Sequence, residues 1–267
     1  MARGRGVLGL RRAARDERMP IVDHLDELRR RLLVALGALV VAFVVLYLVR
    51  GWLIDTLSAP LPRDRQERLT TFSPTEPFFT VLKVVFWASL LAALPVWLYQ
   101  AYAFVVPAVS DQSRRRSLAI VGALAALFAG GVAFGFFVVL PVALDFLLGF
   151  GGGTFDVQLR AGEYFSFATT MLLASGMLFE VPLAMLALAR LGVVTAAMYR
   201  RHWRVALVAI ATIAAILPGG DPFSMLLLMV PQIALYVLGA WLASALGGPP
   251  LWDRAAWAAD EEPGTSG

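Results

Sequence analysis

Six apolar runs divide this chain, and no other feature limits its fold so strongly. They cover residues 32–49, 78–99, 118–148, 164–189, 205–217 and 225–246. A helix that crosses a bilayer needs roughly 17–25 mostly apolar residues, because each adds about 1.5 Å across a hydrocarbon core of about 30 Å. Runs one, two, four and six fit that length. The third is too long, so one of its ends should project beyond the membrane. The fifth holds only 13 residues, about 20 Å of helix. It can still cross as the outbound half of a hairpin with the sixth, turning at Pro218-Gly219-Gly220-Asp221-Pro222 where the bilayer thins locally. The expected fold is all-α: a polytopic membrane protein with six transmembrane helices between residues 20 and 246.

Composition narrows the chemistry. The chain is 59% hydrophobic and 16% charged, with a mean hydropathy of +0.73, which excludes both an ordinary soluble domain and a disordered chain. It has no cysteine, so disulfides, thiolate catalysis and cysteine-based metal sites are excluded. The two histidines, His24 and His202, fall outside the apolar runs and far from membrane serines. A Ser–His protease needs base and nucleophile within hydrogen-bond reach. There is no aspartate pair in adjacent spans, no Walker motif, no dinucleotide fingerprint and no metal-ligand spacing. Neither enzyme activity nor a cofactor nor a metal is expected. No internal repeat suggests an inverted-repeat transporter.

The net charge of +4 and the pI near 9.8 would suit nucleic acid if the basic residues formed a patch. Instead they alternate between loops. Seventeen arginines lie before the first run, between runs two and three, between runs four and five, and after run six; the intervening loops hold five, Arg50, Arg63, Arg65, Arg68 and Arg160. Lys83, near the outer end of run two, can snorkel outward. By the positive-inside rule both termini are expected in the cytoplasm of a cell-membrane protein, and no nucleic-acid partner is expected. Residues 1–19 read as a basic, disordered extension, with Met19 an alternative translation start. No cleavable signal peptide is recognised there. The tail 247–267 is polar and rich in Pro and Gly, and is expected to be mobile.

A few residues stand out against this background. Residues 20–33 read as a short amphipathic helix feeding the first span, with Ile21, Leu25, Leu28 and Leu32 on one stripe. Its Asp26–Arg30 and Glu27–Arg31 spacings suit a solvated face of ion pairs, each worth about 0.2–0.5 kcal/mol. They also suit a carboxylate site for an arginine ligand, since guanidinium and carboxylate match in a bidentate fork; spacing alone favours the ion pairs. Glu180 lies well inside the fourth run, where an acidic residue normally faces a polar cavity or a partner. Pro182 should loosen the helix there and give the carboxyl a polar neighbour. Asp145 is expected at the outer interface. Pro95, Pro141, Pro182 and Pro231 should kink four spans and favour a cupped bundle over a tight cylinder. The loop 50–77 mixes apolar residues and prolines, and suits either an ordered cap on the outer face or an interfacial segment.

Six ordered motifs then converge on one family. They are His24-Leu25-Asp26-Glu27-Leu28-Arg29-Arg30-Arg31-Leu32, Ser58-Ala59-Pro60-Leu61 with Ser73-Pro74-Thr75-Glu76-Pro77-Phe78, Leu98-Tyr99-Gln100-Ala101-Tyr102-Ala103-Phe104-Val105-Val106-Pro107, Phe134-Gly135-Phe136-Phe137-Val138-Val139-Leu140-Pro141, Phe179-Glu180-Val181-Pro182 and Asp221-Pro222-Phe223-Ser224. Over about residues 20–246 the chain resembles TatC, the polytopic subunit of the Sec-independent, twin-arginine protein translocase. The resemblance implies a glove-shaped bundle with short fifth and sixth helices. It implies export of folded proteins driven by the proton-motive force, with twin-arginine signal peptides, single-span TatA- and TatB-type subunits, other copies of the chain and membrane lipid as partners. By the same resemblance Glu27 is the signal-binding carboxylate, Arg29 its neighbouring arginine and Phe104 the aromatic at the first cytoplasmic loop. Pro60 matches a functional proline of the first external loop, and Glu180 the intramembrane glutamate of the concave face. Two positions depart from the family pattern. Ser113 stands where a second signal-binding glutamate is common, with Asp111 two residues away as a substitute. Met225 stands in place of a glutamine near the partner-helix site. The rival readings are a proton-coupled small-solute carrier using Glu180, and a scaffold that only assembles partners.

Overall fold

The computed structural model describes residues 19–62, 69–105, 114–150, 158–216 and 221–248. The expected N-terminal extension, Asp111, Ser113, most of the last hairpin turn and nearly all of the tail lie outside them. Among the described residues the backbone is helical, apart from turns and one isolated bridge between Thr70 and Arg160.

Helix α1 covers Met19–Leu48 and runs almost directly into α2, Arg50–Ser58. Helix α3 covers Glu76–Val105. Helix α4, Arg114–Phe134, passes through a π-helical turn, Gly135–Val139, into α5, Leu140–Gly149. Helices α6, Ala161–Phe179, and α7, Val181–Leu191, form one rod interrupted at Glu180. A short α8, Ala196–Arg201, precedes α9, Trp203–Ile216, and α10, Pro222–Leu246. Five stretches are long and apolar enough to cross a membrane: Leu25–Leu48, Glu76–Ala101, Val121–Gly149, Ala161–Leu191 and Pro222–Leu246, with α9 a shorter apolar helix.

One expectation needs correcting. The amphipathic segment 20–33 is not a separate helix; it is the first half of a continuous α1. After Pro20 no proline occurs before residue 60, and Leu and Arg are good helix formers, so nothing stops propagation.

Contacts fix the direction of each rod. Arg31 meets Gln100 and Trp97 bonds Ala35, so α1 and α3 are antiparallel. Gly131 lies against Ser175 and Phe179, and Gly135 against Ser175 and Leu172, so α4 and α6 are antiparallel. Gly162 faces Glu76 and Thr80, so α3 and α6 start at the same end. Met171 packs in one cluster with Leu228, Gly239 lies against Pro182 and Met185, and Gly248 N–H donates to Ala189. The rod α6–α7 and α10 therefore run in parallel. Since α7 finishes at one end and α10 begins at the other, the chain must cross between them, and α9 is the helix that does so. Two ends result. One gathers the starts of α1 and α4 with the ends of α3, α7 and α10, and carries most of the arginines. The other is covered by α2, with Leu61 and Leu69 after it.

The core sits toward the covered end. Leu53, Leu57 and Leu61 pack on Val84, Val85, Leu140, Leu144, Tyr164, Phe165 and Leu172. Elsewhere large apolar side chains point outward, among them Leu32, Val41 and Leu48 on α1 and Val230 and Trp241 on α10. In lipid that exposure costs nothing, and helix contact depends instead on close approach by small residues. Gly131, Gly135 and Gly176 let α4 and the π turn touch α6; a Cβ on Gly176 would fall 2.5 Å from the Phe128 ring. Gly192 ends α7 at φ 77°, a left-handed cap with Val193 N–H bonded to Leu188.

Candidate functional site: an acidic spot at the basic end

Among the described residues, the acidic groups at the basic end are Asp26 and Glu27, near the start of α1. Arg31, one turn beyond Glu27, donates Nε and Nη2 to its Oε1 at 2.9 and 2.5 Å. The Nη1 of Arg31 also donates to Oε1 of Gln100 on α3 at 3.3 Å. Below this, Trp97 Nε1 donates to the Ala35 carbonyl at 2.9 Å and ties the two helices together. Phe104, half-buried, lies four residues after Gln100, so it shares that face of α3. Glu27, Gln100 and Phe104 are thus brought to one end of the α1–α3 pair.

Arg29 is not brought to this spot. Two residues along a helix turn it by about 200°, to the far side from Glu27. There it lines a shallow surface hollow with Asp26, Arg30, Leu33 and Val34. Of the two ion-pair spacings on α1, Glu27–Arg31 forms as expected. The family resemblance gives Gln100 no role; its signal in the sequence is a polar side chain among the apolar residues of α3.

Glu180 sits midway along the α6–α7 rod and interrupts it. Its N–H bonds Met177, three residues back, and the normal pattern resumes at Ala184 N–H to Glu180 O. Pro182, at the start of α7, has no N–H to continue the ladder. The expected polar neighbour is missing: both carboxylate oxygens are buried, with no hydrogen-bond partner among the described residues. Ser175 Oγ and Gln232 Oε1 are likewise buried and unpaired. The register that aligns Met171 with Leu228 and Pro182 with Gly239 puts these two at about the same depth.

The covered end holds the remaining expected residues. Pro60 is half-buried between Ala59 and the buried Leu61, in the turn that closes α2 with Leu61 N–H to Ser58 O at 3.0 Å. Met225 is half-buried in the first turn of α10. Beside it, Asp221 caps the helix by accepting from Ser224 N–H at 2.7 Å. Sequence reasoning missed the ion pair that fastens this end. Glu76 receives Nε and Nη2 of Arg160 at 2.7 and 3.2 Å and the Phe72 N–H at 2.9 Å. These bonds hold the Arg160 guanidinium even more firmly protonated than usual. Next to it, Thr70 exchanges backbone bonds with Leu159 and Ala161, both 2.9 Å. The signals were a lone glutamate and a lone arginine, 84 residues apart.

Known proteins give the arrangement its family. A family model described as Sec-independent protein translocase protein (TatC) matches residues 23–231. The chain belongs to the TatC family. It is 37% identical to the Sec-independent protein translocase protein TatC of Deinococcus radiodurans, over 84% of this chain and 85% of that relative. It is 35% identical to the chloroplastic TATC of Arabidopsis thaliana, over 87% of this chain and 68% of that relative. A solved structure described as twin arginine translocase receptor TatC in DDM superposes with a TM-score of 0.75 at 30% identity, covering 83% of this chain and 99% of the other. Another TatC receptor structure gives 0.73 at 31% identity. The TatC relationship favours a translocase over a small-solute carrier.

Proposed function

We propose that this chain is the receptor and core subunit of a twin-arginine translocase. It binds the twin-arginine signal peptides of folded proteins at its basic end, with the arginine-rich face turned to the cytoplasm. It works with single-span TatA- and TatB-type subunits, further copies of itself and the surrounding lipid, and draws on the proton-motive force. It is a transport component and not an enzyme.

The observation that carries this reading is the Glu27 carboxylate. The basic end should repel an arginine-bearing peptide, and the acidic start of α1 is the local exception. Glu27 already accepts a guanidinium there, so its position suits that ligand chemistry. Phe104 offers an apolar face beside it. Asp111, between α3 and α4 in the sequence, is the candidate for a second acceptor, with Ser113 two residues on. Glu180 would give an inserted helix a polar anchor at mid-depth, while Pro60 and Met225, the candidates for the external cap and a partner-helix contact, lie toward the covered end.

Site-specific crosslinking of a twin-arginine signal peptide to the protein tests the central assignment. Glu27→Ala is expected to lose most of the crosslink and the export that depends on it. Unchanged crosslinking and export would remove Glu27 from the site.

A further inference from the structure

Arg31 is held by two helices at once. It reaches Glu27 one turn back on α1 and Gln100 on α3. Its side chain is 22% exposed against 39% for Glu27, so the arginine is the more enclosed partner. The group that fills the carboxylate is chemically the same as the group a twin-arginine peptide would present.

We propose that Arg31 is a built-in competitor, occupying the Glu27 carboxylate in the resting receptor so that a peptide arginine must displace it. The proposal rests on Glu27 being the peptide-binding carboxylate. Displacement exchanges one arginine–carboxylate pair for another, so that contact alone adds little net affinity. Gln100 keeps the displaced guanidinium close, which favours its return. The apparent affinity of any ligand falls by the fraction of receptor that is free to bind it. Arg31 therefore weakens every cationic peptide that uses Glu27 by the same factor. It leaves the ranking of peptides unchanged and drops weak, adventitious ones below occupancy. A second peptide arginine, finding a separate acceptor, supplies the affinity that the exchange does not.

Equilibrium binding of a synthetic twin-arginine peptide and its twin-lysine counterpart to the purified full-length protein tests this. Arg31→Gln is expected to tighten both peptides equally, by about twofold to fivefold, the range of a partly exposed ion pair. Arg30→Gln removes the same charge from the same helix without touching the Glu27 contact, and should give a smaller gain. Weaker binding with Arg31→Gln, or a gain no larger than that of Arg30→Gln, overturns the proposal. If Arg31→Gln fails to fold, Arg31→Lys carries the test: it keeps the charge but cannot form the two-nitrogen contact. A gain then supports the competitor, and none overturns it. Glu27→Gln separates the two ideas. If it leaves binding unchanged, the assignment of Glu27 fails. If it weakens binding while Arg31→Gln brings no gain, only the competitor fails.

Discussion

Tyr164 and Ser175 are both buried hydroxyl-bearing residues of α6, yet their hydroxyls differ in what they hold. The Tyr164 hydroxyl donates to the Leu57 carbonyl at 2.6 Å, across the seam between α6 and α2. Ser175 Oγ has no partner among the described residues. A satisfied buried hydrogen bond contributes about 0.5–1.5 kcal/mol net, whereas an unmade one already costs the desolvation of its group. Tyr164→Phe is therefore expected to lower stability by about 1 kcal/mol and to leave the Leu57 carbonyl orphaned. Ser175→Ala should be neutral or stabilising. Denaturation of the two variants in one detergent checks the contrast, and equal losses would contradict it. Glu180 poses the same question with a larger cost, because its unpaired group is ionisable. Its depth was legible in the sequence from run length alone. Its missing partner was not, because hydrogen-bond partners come from other helices and periodicity carries no information about them. The same limit hid Gln100 and the Glu76–Arg160 pair, while the i,i+4 pair of Glu27 and Arg31 was readable from spacing.

Four prolines in four spans looked equivalent in the sequence, and the helices treat them differently. Pro95 and Pro231 lie inside continuous helices. Pro141 stands two residues after a π turn, and Pro182 two residues after the interruption at Glu180. A helix absorbs a proline by bending, by widening to a π turn or by breaking. Which one occurs depends on the space its neighbours leave. At Pro141 the widened turn brings Gly135 onto Ser175, so packing against α6 selects that solution. Packing also separates two adjacent glycines of α4. A Cβ on Gly130 would meet nothing within 4 Å, whereas one on Gly131 would fall 2.6 Å from the Ser175 carbonyl. Gly130→Ala is expected to be neutral or to stabilise by up to about 1 kcal/mol, through helix propensity. Gly131→Ala should cost about 1–3 kcal/mol by forcing α4 and α6 apart. Thermal unfolding of the purified variants decides; similar shifts would mean that the two rods do not touch as described.

At the scale of the whole molecule the open question is parity, and one short helix decides it. Five rods are long enough to cross, which alone would put the two ends of the chain on opposite sides. Run lengths suggested six crossings, but the fifth run was the weakest, since a 14-residue helix spans only about 21 Å. Helix direction supplies what length could not. Gly239 against Pro182, and Gly248 N–H on the Ala189 carbonyl, make α10 parallel to the rod before α9. The stacking of Phe223 on Phe146, ring centroids 4.2 Å apart, fixes the start of α10 at the covered end. The chain must then return from one end to the other, and α9 is the helix that does so; local thinning of the bilayer would take up its short length. Six crossings place the start of α1 and the end of α10 on one side. By the positive-inside rule the arginine-rich side is the one expected to face the cytoplasm. A reporter fused after Gly247 and a tag placed before Met19 are expected to label from the same, cytoplasmic side in intact cells. If they label from opposite sides, α9 does not cross. If both label from outside, the basic end faces away from the signal peptides it is proposed to bind.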